Sequence, residues 1–143
     1  MIDIDSKPLT KRVAIAQGYV RMKPSTLEMI LSKRVEKGDV TCVSQTAGIM
    51  GAKYTPVLIP MCHPIPLSNV KVEISPEGKE RLKVEASVVA TWKTGVEMEA
   101  LTAVATTCLN IYDMCKSVDR GMKIEDIKLL YKAGGKSGEY RAE

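Results

Sequence analysis

At 143 residues, with 45% hydrophobic and 27% charged side chains, the chain has the composition of one globular domain, not of a disordered segment or a fibre. No apolar run approaches the roughly 20 residues that cross a bilayer, and the opening Met1-Ile2-Asp3-Ile4-Asp5 is too acidic for a signal peptide, so a cytoplasmic protein with no membrane partner is expected. Lys and Arg number 21 against 17 Asp and Glu; the resulting +4 forms no dense basic stripe, which argues against a nucleic-acid partner and suits a small anion.

Val13 to Met22 combine β-branched residues with a weak alternation and predict a first strand. Pro24 precedes Ser25-Thr26-Leu27-Glu28, the pattern of a capping box in which hydroxyl and carboxylate satisfy the first free amides of a helix. Leu27, Ile30 and Leu31 follow at helical spacing, so this helix is predicted to run to about Arg34. Lys37-Gly38-Asp39 breaks it, and Asp39 is a good N-cap for a second helix. Val40, Val43, Ala47 and Met50 mark its expected apolar face, and Gly51 its expected end.

Pro56 to Pro66 read as a proline-punctuated loop that holds Met61-Cys62-His63-Pro64, with Pro64 keeping His63 extended. Val70, Val72 and Ile74 then alternate with polar neighbours, as do Leu82, Val84, Ala86, Val88 and Ala90 after the turn Pro76 to Glu80: a β-hairpin with one buried face. Thr94-Gly95 leads into a long helix predicted over Glu97–Val118, with Met98, Leu101, Ala105, Cys108, Tyr112 and Cys115 recurring at spacings of 3 and 4. A helix so apolar on most sides is expected to be covered by more than one neighbour. Gly121 closes it, and Ile127, Leu129 and Tyr131 form a last strand before a Gly-rich tail.

Strands mixed with helices, one local hairpin among them, point to an α+β fold over residues 1–143 as a single domain: a ferredoxin-like antiparallel sheet with helices packed on one face. The other sheet face would then need a partner subunit.

Four cysteines, Cys42, Cys62, Cys108 and Cys115, form no CxxC pair and meet a single histidine, His63, so reduced thiols rather than a zinc site are expected. Asp113 and Lys116 lie three apart, deep in the apolar helix, close enough to pair. Such a pair is either a structural ion pair or, because burying both charges is expensive, a couple kept for acid–base work. Glu97 and Glu99 open the same helix, where acids also favour the helix dipole. Glu99 and Asp113 share a face yet stand roughly 21 Å apart along the axis, so a site using both would draw one of them from another subunit. His63 is either structural or functional. Lys37, Lys53, Lys132 and Lys136 are surface charges by default, although the glycines near Lys132 and Lys136 would let backbone approach phosphate. That tail is no Walker A loop, and its alternative reading is a mobile C-terminus.

Taken together, Lys37-Gly38-Asp39-Val40, Met61-Cys62-His63-Pro64, Lys93-Thr94-Gly95-Val96-Glu97-Met98-Glu99-Ala100-Leu101, Ile111-Tyr112-Asp113-Met114-Cys115-Lys116 and Gly134-Gly135-Lys136-Ser137-Gly138 resemble the motif set of the cyclic pyranopterin monophosphate synthase family (molybdenum cofactor biosynthesis protein C). The resemblance implies a phosphorus–oxygen lyase of molybdenum cofactor biosynthesis. It would convert (8S)-3',8-cyclo-7,8-dihydroguanosine 5'-triphosphate to cyclic pyranopterin monophosphate with release of pyrophosphate. It also implies a ferredoxin-like fold and a homohexamer, a trimer of dimers with sites between subunits. Carried over motif by motif, Asp113 and Lys116 would be catalytic, and Met61, Cys62, His63, Met98, Glu99, Glu97, Lys37, Lys53, Lys132 and Arg12 would bind substrate. No metal ligand and no cofactor are expected, and whether Mg²⁺ accompanies the triphosphate stays open. Two rivals from other classes are a nucleotide-binding regulatory module and a structural subunit whose Asp113–Lys116 pair fixes helix register.

Overall fold

The computed structural model describes all residues, Met1–Glu143. Strand β1 (Thr10–Arg21) alternates along its length: Arg12, Ala14, Ala16, Gly18 and Val20 are buried, while Val13, Ile15 and Gln17 on the other side are only half covered. Its small inward side chains leave room for a helix to lie close. At Gly18 a Cβ would stand 2.8 Å from Val104 Cγ1.

The chain continues through α1 (Pro24–Leu31), α2 (Val40–Leu58), the hairpin β2 (Asn69–Glu77) and β3 (Arg81–Trp92), α3 (Glu97–Cys115), β4 (Lys123–Ala133) and a short β5 (Tyr140–Arg141). The sheet order is β2-β3-β1-β4-β5, every neighbour antiparallel. Without the terminal β5 this is the β-α-β-β-α-β order of a ferredoxin-like sheet, with α2 and α3 on one face. No helix is long and apolar enough to cross a membrane. The core lies between that face and α3, where Val20, Val84, Val88, Val104, Cys108 and Ile111 are fully buried. Helix α3 touches α2, β1, β3 and β4, the multiple coverage that its composition predicts.

Several local expectations are corrected. The capping box does not form: α1 starts at Pro24, its N-cap is Lys23, and no side chain from Ser25 to Glu28 caps it. Asp119, from the turn after α3, does that work instead, accepting from the Lys23 N–H and the Thr26 hydroxyl, each at 2.9 Å. α1 also stops at Leu31, short of Arg34.

Helix α2 begins at the predicted Asp39 cap, whose carboxylate accepts from the Cys42 N–H at 3.1 Å, but it runs to Leu58 through Pro56. Pro56 removes one bond of the ladder, the one to the Ala52 carbonyl, and the helix still closes beyond it, with Ile59 donating to the Thr55 carbonyl at 2.9 Å. The buried face is Val40, Ser44, Gly48, Gly51, Ala52 and Thr55; Val43 and Met50 are exposed. Small residues face inward because α2 and α3 nearly touch. A Cβ on Gly48 would fall 2.1 Å from Thr107 Oγ1, and one on Gly51 2.4 Å from Thr106 Oγ1.

The buried set of α3 is likewise rotated from the expected stripe. Ala100, Ala103, Val104, Thr107, Cys108, Ile111, Met114 and Cys115 are inside, Met98 is exposed, and Leu101, Ala105 and Tyr112 are half covered. The helix ends at Cys115, not Val118.

Candidate active site

The β3–α3 turn and the first turn of α3 bring Thr94, Gly95, Glu97, Met98 and Glu99 to one end of the molecule. The loop after α2 carries Met61, Cys62 and His63 to the same place. Together with Ile65 and the N-terminal residues Met1, Ile2, Ile4 and Lys7 they enclose a cavity of about 430 Å³. Six predicted site residues from two distant stretches of sequence thus meet in one hollow.

Glu99 is its most perturbed group. The side chain is 3% exposed, and burial pushes its pKa up to about 7 against a hydrogen bond from its own backbone, with Glu97 adding a smaller upward push. A carboxylate in the first helical turn would ordinarily be favoured by the helix dipole; here desolvation outweighs it. Burial, and then the Glu99 charge, also push the Cys62 thiol up, so Cys62 is a thiol and not a thiolate at neutral pH.

The second cluster forms at the other end of α3. Lys116 Nζ stands 3.0 Å from Asp113 Oδ1, and Lys37, from the link between α1 and α2, stands 3.3 Å from Oδ2. Lys116 first, and Lys37 second, hold the Asp113 carboxyl below the usual carboxylate range. A hollow of about 420 Å³ beside them is lined by Lys37, Tyr112, Lys116, Ser117 and Arg120.

The expected burial of this pair is not found. The side chains of Asp113 and Lys116 are 55% and 52% exposed. Ile111, Met114 and Cys115 take the inward positions of the last turns of α3, which leaves Asp113 and Lys116 on the exposed side. The electrostatics of Asp113 therefore come from its two lysines and not from a dry interior.

Arg12 is buried under the β3–α3 turn and the C-terminal tail, donating to the carbonyls of Trp92 at 3.4 Å, Lys93 at 3.2 Å and Gly134 at 3.3 Å. It ties the strand that precedes Glu97 to the segment that follows Lys132. Lys132 donates to Ser137 Oγ at 3.1 Å and shares a further hollow with Glu97, Lys128 and Tyr140. Lys53 is exposed on the outer side of α2 and lines none of these hollows.

The Gly-rich tail packs back on β1: Gly134 and Gly135 take φ of 98° and 84°, and a Cβ on either would collide with Lys11 or Arg12. These glycines serve backbone packing. Sequence reasoning missed Lys7, Tyr112 and Arg120 as lining residues; Arg120 was hidden in a turn legible only as a helix stop.

The five motifs sit at the two ends of α3 and in the segments packed against them, and the chain as a whole is similar to known proteins. The model of the MoaC family matches residues 1–135. A cyclic pyranopterin monophosphate synthase of Rhodospirillum rubrum is 53% identical over 143 residues, covering 99% of this chain and 86% of its own. The synthase of Dinoroseobacter shibae is 53% identical over 100% of this chain and 91% of its own. Cyclic pyranopterin monophosphate synthase 3 of Mycobacterium bovis is 53% identical over 99% and 80%. A match that spans the sheet, all three helices and both residue clusters makes this chain a member of the MoaC family.

Proposed function

We propose that the chain is a cyclic pyranopterin monophosphate synthase of molybdenum cofactor biosynthesis, a lyase that takes (8S)-3',8-cyclo-7,8-dihydroguanosine 5'-triphosphate to cyclic pyranopterin monophosphate and pyrophosphate. The observation that carries this reading is the Asp113 carboxylate gripped between Lys37 and Lys116, in a chain whose relatives bear that name.

The reaction has two demands. The guanine-derived ring opens and rearranges to a pterin, which moves protons at ring nitrogens and carbons. A ribose hydroxyl then gives its proton to a carboxylate of the site as its oxygen attacks the α-phosphorus, and pyrophosphate leaves with the electrons of the broken P–O bond.

For the first demand, Asp113, ionised at neutral pH, is the base, and the Lys116 ammonium is its acid partner. Glu99, with a pKa of about 7, is suited both to give and to take a proton near neutrality, and His63 and Glu97 assist from the same cavity. Met61, Cys62 and Met98 form the wall for the ring system. For the second demand, Lys37 and Lys132 neutralise charge developing on the phosphates, with Lys53 joining from the surface of α2. Arg12 serves by holding the strand ends beside Glu97 and Lys132. No cofactor is required in this scheme, and Mg²⁺ enters only as the companion of the triphosphate.

Glu99 and Asp113 lie at opposite ends of α3, roughly 21 Å apart. One protomer cannot offer both to one small molecule. A homohexamer, a trimer of dimers with each centre built from the Glu99 end of one protomer and the Asp113 end of another, answers that distance. The half-covered open face of the sheet supports assembly.

The test is an end-point assay on the cyclised GTP intermediate, generated in place by the radical enzyme that makes it. Pyrophosphate and the fluorescent oxidised pterin are expected from the parent, and neither from a folded Asp113→Asn variant. A folded, ligand-binding parent with no turnover would overturn the reading.

A further inference from the structure

We propose that Arg120 is a phosphate-binding residue, holding the substrate's phosphate chain and then the leaving pyrophosphate at the C-terminal end of α3. The proposal rests on the functional reading above and extends it to a residue outside the recognised motifs.

Arg120 sits in the turn after α3, and that turn is fixed at two points although it faces solvent. Asp119, 3% exposed, anchors it to the start of α1 through the Lys23 N–H and the Thr26 hydroxyl. The Tyr112 hydroxyl donates to the main-chain carbonyl of Arg120 itself at 2.9 Å. The backbone that carries the guanidinium is thus pre-positioned, so a ligand has only the side chain left to order.

The side chain itself has no partner. Arg12 donates to carbonyls, and Arg21, Arg34, Arg81 and Arg141 each meet a carboxylate. Arg120 alone among the arginines makes neither a hydrogen bond nor an ion pair through its side chain, although it lines the hollow that holds Lys37 and Lys116. Both lysines already face the Asp113 carboxylate. The lining of the hollow carries these three cations and no carboxylate, against Asp113 between the two lysines and Asp119 turned beneath toward Lys23 and Thr26, so its wall is net positive and favours an anion. The planar fork of guanidinium donors matches two phosphate oxygens with parallel bonds, a fixed geometry that a lysine ammonium lacks. The Ser117 hydroxyl on the same wall completes a lining suited to a polyphosphate. Free pyrophosphate and the phosphate chain of a nucleotide share this chemistry, and the two arms of the experiment separate them.

The first arm titrates inorganic pyrophosphate calorimetrically into the assembled parent and into Arg120→Ala, Arg120→Gln and Arg120→Lys; the second measures KM for the triphosphate intermediate. Loss of the charged bidentate contact is expected to weaken pyrophosphate binding about ten-fold or more in the Ala and Gln variants, with KM rising in parallel and Lys restoring only part. The Gln variant keeps the side chain's length, so it decides the matter where Ala disturbs the turn. A parent that does not bind pyrophosphate, or an assembled Gln variant that binds it within two-fold of the parent, overturns the proposal. Because the titration needs no turnover, it stands apart from the assay that tests the reaction: a parent that binds pyrophosphate through Arg120 yet turns over nothing would sink the functional reading alone. A weakened KM with unchanged pyrophosphate binding would place Arg120 elsewhere on the substrate and also overturn the proposal.

Discussion

Lys37 holds Asp113 by backbone and side chain together: its Nζ donates to the Asp113 main-chain carbonyl at 2.8 Å and to Oδ2 at 3.3 Å. A residue 76 positions earlier in the chain thereby sets the electrostatics of a carboxylate at the end of α3. Lys37→Met removes one of the two cations that depress the Asp113 pKa. The acid limb of the pH–rate profile is expected to move to higher pH, with turnover at neutrality reduced at least about 100-fold. Asp113 is exposed, so thermal stability should barely change. A profile with an unmoved acid limb would separate Lys37 from Asp113.

Glu99 behaves in the opposite sense. The folded protein keeps it protonated up to about pH 7, whereas the unfolded chain releases that proton near the ordinary 4.5. The stability tied to this proton is complete below 4.5 and is lost as pH rises through about 7. Glu99→Gln stays neutral and is expected to match the parent near pH 4.5 and to exceed it above pH 8 by on the order of 2 kcal/mol, read from denaturant unfolding at the two pH values. Parallel stability curves for the two proteins would show that Glu99 is not held neutral by burial.

The contact between α2 and α3 depends on hydrogen atoms where other residues carry a methyl. Gly48→Ala would place its Cβ 2.1 Å from Thr107 Oγ1 and 3.1 Å from the Ala103 carbonyl oxygen, so the helices must part. A loss of about 1–3 kcal/mol is expected from such overpacking. Because the nearest atom belongs to the Thr107 side chain, Gly48→Ala combined with Thr107→Ala should cost less than the sum of the single changes, a coupling that a double-mutant cycle measures directly.

Asp119→Ala strips the Lys23 N–H and the buried Thr26 hydroxyl of their acceptor at once. About 2–3 kcal/mol should be lost, while Asp119→Asn, which keeps an acceptor oxygen, should recover much of it. The same two variants bear on chemistry, since Lys116 and Arg120 flank this anchor: turnover should fall further than the mild loss of fold accounts for in Ala, and less in Asn.

Local patterns were legible wherever the nearest neighbour in sequence was also the deciding neighbour in space. The alternation of Val70 to Ile74 and Leu82 to Ala90 became β2 and β3, Asp39 capped α2, and α3 began at Glu97 as read. The capping box at Ser25 failed because an acceptor 93 residues away from Thr26 was better placed than Glu28. The apolar face of α2 was misread for a related reason. Close helix packing selects for the absence of side chains, so Gly48 and Gly51 mark the inner face while Val43 and Met50 remain outside. Of the candidate site, the motifs named residues that the fold gathers into two clusters, Lys53 apart, but spacing along one helix could not say whether Asp113 and Lys116 point in or out. That depends on where the covering elements end. Arg120 carries no local signal, since its role follows from what it does not touch.

The length of α3 has a genetic consequence. If each centre borrows one end of this helix from each of two chains, Asp113→Asn and Glu99→Gln damage different halves of the same centre. Preparations of the two variants, each inert alone, should regain activity when dissociated and reassembled together, because about one centre in four would combine an undamaged half from each chain. Two broken copies would thus make a working enzyme, and a cell carrying both alleles would be healthier than one carrying either.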